Sequence, residues 1–281
     1  MTHHSSFTFF HPTFLYQPRG KRVEFGSLAA GMYWSEEEPI SHSQQLRQKI
    51  QLIRSGVDRA AHAFWSHPHL RELYPELLFR IHCFSRATIP LMAAARAVAR
   101  VLSESDLVAK YLADYLSKHI SEETGHDEWL LEDMEVLGIE RKAILKRVPI
   151  PTATALAGTQ YYWIFHGHPV ALLGYLAVME GSPPRTEFLQ EAIVRTGLPA
   201  RAFRTYLRHA HLDLQHRKDL FAILDRMPLT GEHAALIGVS AFQTIHLSRL
   251  LFEELVESHS RESGSGQYLA IGAYHPSLAS D

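Results

Sequence analysis

From Ser43 onward the apolar positions of this chain recur at helical steps. Leu46, Ile50, Ile53, Val57, Ala61 and Phe64 fall three or four residues apart, which puts them on one face of a helix. His67-Pro68 closes that helix. A second helix is predicted over 70–102, kinked at Pro90, where proline removes an amide donor. Ser103-x-x-Asp106 reads as a capping box that opens a third helix running to Gly138. Further helices are expected over a short basic stretch ending at Val148-Pro149, then over 152–165, 169–180, 184–197, 199–227 and from Gly231 to about Ser260. No strand-like alternation and no Asn-Gly or Asp-Gly hairpin dipeptide occurs. The pattern predicts an all-α, multi-helical bundle in a single domain, with about seven to nine helices.

The ends read differently. Residues 1–42 are rich in aromatics, Pro and Gly without a sustained period, so an irregular N-terminal arm is expected there. The helical domain covers 43–261. Residues 262–281 begin Gly/Ser-rich and read as a loose C-terminal tail.

Composition narrows the function. The chain has 281 residues, with 28 Lys plus Arg against 30 Asp plus Glu. Near-neutral charge gives no electrostatic reason to expect nucleic acid or an anionic membrane as partner. There is no signal-peptide pattern and no run of about 18 apolar residues, so a cytoplasmic location is expected. The single cysteine, Cys83, excludes an intramolecular disulfide and Cys-based zinc sites. Cys83 has only His82 and Arg86 as basic neighbours and does not read as a nucleophile. Histidine is plentiful, at 19 residues.

Three segments carry candidate chemistry. His209, Asp213 and His216 are spaced i, i+4, i+7, so they line one stripe of one helix. His119, Glu123 and His126 share a stripe in the same way, and Glu-x-x-His is a spacing by which helical bundles present a carboxylate with an imidazole. Gly125 inside that helix would be costly unless something packs close to its backbone. Glu180 closes the apolar run from Val170 to Met179, and a buried carboxylate there needs a partner. Each segment alone also reads as a solvated polar face or helix end. Together they offer three carboxylates and three imidazoles. That oxygen and nitrogen set suits iron or manganese, and six ligands exceed one tetrahedral zinc. Tyr175 and His246 are candidates for a pocket wall. His166 and His168 flank a helix break and read as capping residues.

The segment His119-x-x-Glu-Glu123-x-Gly-His126-Asp-Glu-Trp-Leu-Leu-x-Asp-x-x-x-Leu-Gly138 resembles the metal-helix signature of the haem-oxygenase-like di-iron oxidases and oxygenases. The run from His168 to Glu180 resembles that family's next ligand helix, and His209-x-x-x-Asp-x-x-His216 its last. The resemblance spans about residues 45–260. It implies a haem-oxygenase-like fold with Glu123, His126, Glu180, His209, Asp213 and His216 as ligands to Fe(II), two ions in all, with O2 as co-substrate activated through a peroxo-di-iron species. No catalytic residue beyond the ligands is implied. One departure stands out: the family usually supplies a further carboxylate from an early core helix, and 77–92 contains none. His82 or His119 would serve there as an additional ligand or outer partner, and if both ions prove equally well held, Glu76 or Glu122 would be the carboxylate that fills the gap. The implied substrate is a small or carrier-bound biosynthetic molecule, with a second copy of the chain as a candidate partner. Two other functions remain open: a metal-independent enzyme on the same fold, thiaminase-like or a cofactorless oxidase, and an inactive helical binding protein.

Overall fold

A computed structural model describes residues 40–181 and 184–264, so most of the expected arm and tail lie outside the described residues. Among the described residues all regular structure is helical. In chain order the helices are α1 (His42–Ile53), α2 (Ser55–Trp65), α3 (Leu70–Leu102), α4 (Leu107–Glu123), α5 (His126–Val136), α6 (Arg141–Lys146), α7 (Pro151–His166), α8 (Leu172–Met179), α9 (Thr186–Thr196), α10 (Arg204–Arg226) and α11 (Gly231–Gly264). They belong to one compact unit.

Helix α11 is the centre of the bundle and packs on α1, α2, α7 and α8. Its 231–258 stretch is apolar and long enough to cross a membrane by composition alone. Its position explains that composition, because Ile237, Ala241, Ile245, Leu251 and Leu255 are buried against its neighbours. Helix α8 is apolar on every side and correspondingly enclosed, with all of Leu172–Ala177 buried. Away from the site, polar contacts tie the helices to one another. Ser240 on α11 donates to Gln160 on α7 at 2.9 Å, and Trp163 Nε1 donates to Gln243 at 3.0 Å. Asp225 near the end of α10 accepts from the backbone and hydroxyl of Ser43, both at 2.7 Å, and so ties α1 to α10.

Two predicted helices are divided. The first breaks at Arg54, yet both parts pack on α11, so one apolar period runs through the break. The third is divided at Gly125, whose φ is +91°. A Cβ there would meet nothing within 4 Å, so the glycine serves backbone conformation rather than close packing. Asp106 is itself the N-cap of α4, accepting from the amides of Val108 and Ala109, while Ser103 bonds back to Arg100. The segments before α8 and α10 begin with single 3₁₀ turns at Pro169–Ala171 and Ala200–Phe203. The long helix at 70–102 is as expected, with Pro75 and Pro90 inside it.

Candidate metal centre

Four elements bring the site together. Glu123 is the last residue of α4, His126 the first of α5, Glu180 the C-cap of α8, and His209, Asp213 and His216 occupy the predicted stripe of α10. All six converge. Nδ1 of His126 donates to Oε2 of Glu123 at 3.0 Å, across the Gly125 break rather than along one helix. Nδ1 of His209 donates to Oδ1 of Asp213 at 2.9 Å. Nδ1 of His216 lies 3.1 Å from Oε1 of Glu123 and 3.9 Å from Oδ1 of Asp213. The His126 and His209 rings meet edge to face at 5.0 Å.

His119 joins them. It is 1% exposed, and its Nε2 donates to Oε1 of Glu180 at 3.0 Å. Its Nδ1 faces Glu122, which sequence reasoning left outside the ligand set, at 3.6 Å. The signal was present: Glu122 lies three residues beyond His119, one helical turn on. Aromatic stacking fixes two of the imidazole planes. Tyr115 stacks on His119 at 5.3 Å, and Trp129 stacks on His126 at 4.0 Å.

His82 is different. It is buried in α3 with an unpartnered Nδ1, but it does not line the cavity beside the cluster. Burial holds its imidazole below the usual range. Glu76 is also elsewhere, paired with Arg80 at 3.0 Å and Arg147 at 2.6 Å. The early helix turns Ile81, Phe84, Ser85, Thr88 and Ile89 toward the cavity, and none of these is a carboxylate.

That cavity has a volume of about 410 Å³. Glu123, His126, Glu180, His209 and Asp213 form its polar end. Leu77, Leu176, Met179, Ile245, Leu251 and Phe252 line its apolar body, and the half-exposed Asp58 with its partner Arg54 also borders it. Tyr175 lines the wall as expected, whereas His246 is exposed and does not.

The electrostatics follow from burying carboxylates among imidazoles. Burial opposes charge on His119, but its hydrogen bond to Glu180 and the charges of Glu180 and Glu123 outweigh it and raise its pKa to about 9. His209 is raised by Asp213 against the same desolvation. Burial pushes Glu180 up, while Glu123, also buried, is pulled below its usual range by His126 and its neighbours. His119 and His209 are thus favoured in their protonated forms, which offsets the carboxylates.

A second cluster, Asp106, His168 and His233, has metal-like spacing. Its chemistry is structural. His168 and His233 each accept a backbone N–H at Nδ1, from Val170 at 3.1 Å and Thr230 at 3.3 Å. In a neutral imidazole that leaves Nε2 protonated, and His168 turns its Nε2–H to Asp106 at 2.9 Å. His168 therefore caps, as expected.

The model for iron-containing redox enzymes matches residues 84–248, more than half of the chain and all six candidate ligands. The chain belongs to the iron-containing redox enzyme family. Solved structures show the fold of this family member. A domain of unknown function with a haem-oxygenase-like fold from Shewanella denitrificans superposes with a TM-score of 0.67 at 18% identity, covering 80% of this chain and 97% of that one. A CADD-like protein of unknown function from Nostoc punctiforme gives 0.59 at 16% identity, with 77% and 97% covered. A TenA homologue from Pseudomonas syringae gives 0.58 at 11% identity, with 77% and 93% covered. No curated protein matches the chain. The haem-oxygenase-like, all-α fold expected from the sequence is the fold found.

Proposed function

We propose that this protein is an O2-dependent non-haem iron oxidase or oxygenase, holding up to two ferrous ions and acting on a small molecule with an apolar body. The observation that carries this reading is a set of four buried side-chain atoms without hydrogen-bond partners: Nδ1 of His119, Oε1 of Glu123, Oε2 of Glu180 and Nδ1 of His216. Orphaned polar atoms are costly in a protein interior and seldom cluster. His216 Nδ1 and Glu123 Oε1 lie 3.1 Å apart yet are misaligned for a hydrogen bond. Atoms aimed at a shared point between them behave this way, and a divalent cation at that point would satisfy them.

The donor set fits iron. Three carboxylates and three imidazoles form a mixed oxygen and nitrogen shell suited to Fe(II). Glu123, His126, Glu180, His209, Asp213 and His216 would hold it. When bound, iron would supply O2 activation and accept electrons or hydrogen from substrate. The chain supplies the rest. Tyr115 and Trp129 fix ring planes, the apolar wall excludes water, and the cavity sets a substrate's reactive carbon or nitrogen against the polar end. A metal-independent nucleophilic enzyme has less support, because Cys83 is buried and burial pushes its thiol up.

The test is iron analysis of protein expressed with added iron, followed by anaerobic ferrous loading and rapid mixing with O2. A transient visible absorption that needs both iron and O2 is expected. Protein that retains no iron and shows no O2-dependent change would sink the reading.

A further inference from the structure

Beside the six candidate ligands lies a further group of donors, His119 and Glu122 with His216. We propose that His119 and Glu122, together with His216, hold a divalent cation between α4 and α10, replacing the carboxylate that the early helix lacks. This rests on the iron-site reading above and goes beyond it in naming the ligands.

In the neutral ring of His119, Nε2 carries the proton that it donates to Oε1 of Glu180 at 3.0 Å. Nδ1 lies 3.6 Å from Oε2 of Glu122, with no hydrogen bond between them. A cation that displaces the proton from Nδ1 would take the place between these two atoms. Metal-ligating histidines characteristically donate their second ring N–H to a carboxylate, and His119 is already so arranged.

The third donor comes from α10. Ligand atoms of His119, Glu122 and His216 all lie within 4.8 Å of one another. His119 is 1% exposed and His216 5%, and the Nδ1 of each is unpartnered. Their rings meet edge to face at 5.0 Å. Oε1 of Glu123, also unpartnered, is 3.1 Å from His216 Nδ1 and is available as a fourth donor. The other position keeps His126, His209, Asp213 and the free Oε2 of Glu180.

A resident positive charge already sits at the outer edge. Lys118 Nζ lies 3.3 Å from Oε1 of Glu122 and 2.6 Å from Oδ2 of Asp219, with its side chain 60% exposed. It competes with a metal for Glu122. The position is therefore the weaker of the two, and Lys118 sets how weak.

The experiment is anaerobic titration of the chelator-treated full-length protein with Co(II), and separately Fe(II), followed by visible absorption and by bound-metal analysis. Wild type should bind two ions with different affinities. Glu122→Gln should weaken only the weaker event, by roughly tenfold or more, while His119→Ala should weaken that event at least as much and, through its hydrogen bond to Glu180, also loosen the tighter one. Lys118→Met should strengthen that same event, which a merely structural role for Glu122 would not produce. Asp213→Ala should weaken the tighter event. Circular dichroism checks folding. If His119→Ala does not fold, Glu122→Gln and Lys118→Met, both at more exposed side chains, decide alone. Two events that ignore Glu122→Gln and Lys118→Met would overturn the proposal and leave the iron reading standing. A single event indifferent to both would do the same. A wild type that binds no metal would overturn both.

Discussion

Gly174 on α8 lies directly against the backbone of Ile237 on α11. A Cβ at Gly174 would stand 2.1 Å from the carbonyl oxygen of Ile237 and 2.8 Å from the amide of Ala241. Only glycine permits this approach, and neither backbone atom can swing aside as a side-chain tip could. Because α8 ends at Glu180, the contact also fixes where that carboxylate emerges. Gly174→Ala should destabilise the fold by about 2–3 kcal/mol. That corresponds to a melting point roughly 5–10 °C lower. The same variant should bind iron more weakly. Melting in excess chelator separates the two effects, and an unchanged apo melt would show that the helices part without cost.

Asp133 anchors the other ligand helix. It is fully buried on α5, and its Oδ2 accepts the amide of Thr205 at 2.9 Å, in the first turn of α10. Burial raises its pKa above the usual carboxylate value, against the pull of Thr205 and Arg204. A carboxyl that is easier to protonate folded than unfolded contributes most at low pH. Its contribution falls as pH rises from the unfolded pKa, about 3.9, through the raised folded one. Asp133→Asn keeps an oxygen for Thr205 and removes that ionisation, so it should flatten this part of the stability profile. Asp133→Ala leaves the amide unpaired and should cost about 1–3 kcal/mol. Urea unfolding across pH 4–8 checks both, and a steeper profile for the asparagine variant would contradict the assignment.

Asp213 tests the centre as a whole. Asp213→Ala should keep the fold but lose iron retention. Wild type at free iron about a hundredfold above the dissociation constant should gain about 2.7 kcal/mol, and lose it to chelator. The variant should melt at one temperature with or without chelator. A wild-type melt that ignores both iron and chelator would argue against a tight site.

Asp106 belongs to the structural cluster, and its removal should leave iron binding untouched. Its carboxylate, partly desolvated, is held below the usual range by the amides of Ala109 and Val108 and by His168. Such a group stabilises the fold above its unfolded pKa and loses that contribution as pH falls through the depressed folded one. Asp106→Ala should cost about 1–2 kcal/mol at neutral pH, the range for a lost N-cap. Zinc added to wild type should not protect against unfolding through this cluster.

Much of this was legible in the sequence because helical periodicity and ligand spacing share one geometry. The α10 triplet at i, i+4, i+7 needed nothing beyond the pitch of a helix. Glu180 was legible from its place at the end of an apolar run. The break at Gly125 was not, because an isolated glycine is compatible both with a strained helix and with a positive φ, and Glu-x-x-His satisfies either. Arg54 hid a break for a related reason: both flanking helices bury the same kind of face against α11. His82 drew attention as the polar residue on an early helix, but that helix turns a different face to the cavity. Which face it turns depends on long-range packing that a local window does not contain. Glu122 was obscured by its charged neighbours, whose pattern is that of a surface stripe.

Two of the carboxylates stand at the carbonyl ends of their helices: Glu123 finishes α4 and Glu180 caps α8. Each such end carries a partial charge of roughly −0.5 from its aligned peptide dipoles. The N-terminus of α5 at His126 offsets about half of this, so the backbone adds roughly half a negative charge to the three carried by Glu123, Glu180 and Asp213, and this part cannot be protonated away. A field of this sign favours a multivalent cation over a monovalent one of similar size, because only the former would offset both the carboxylates and the backbone.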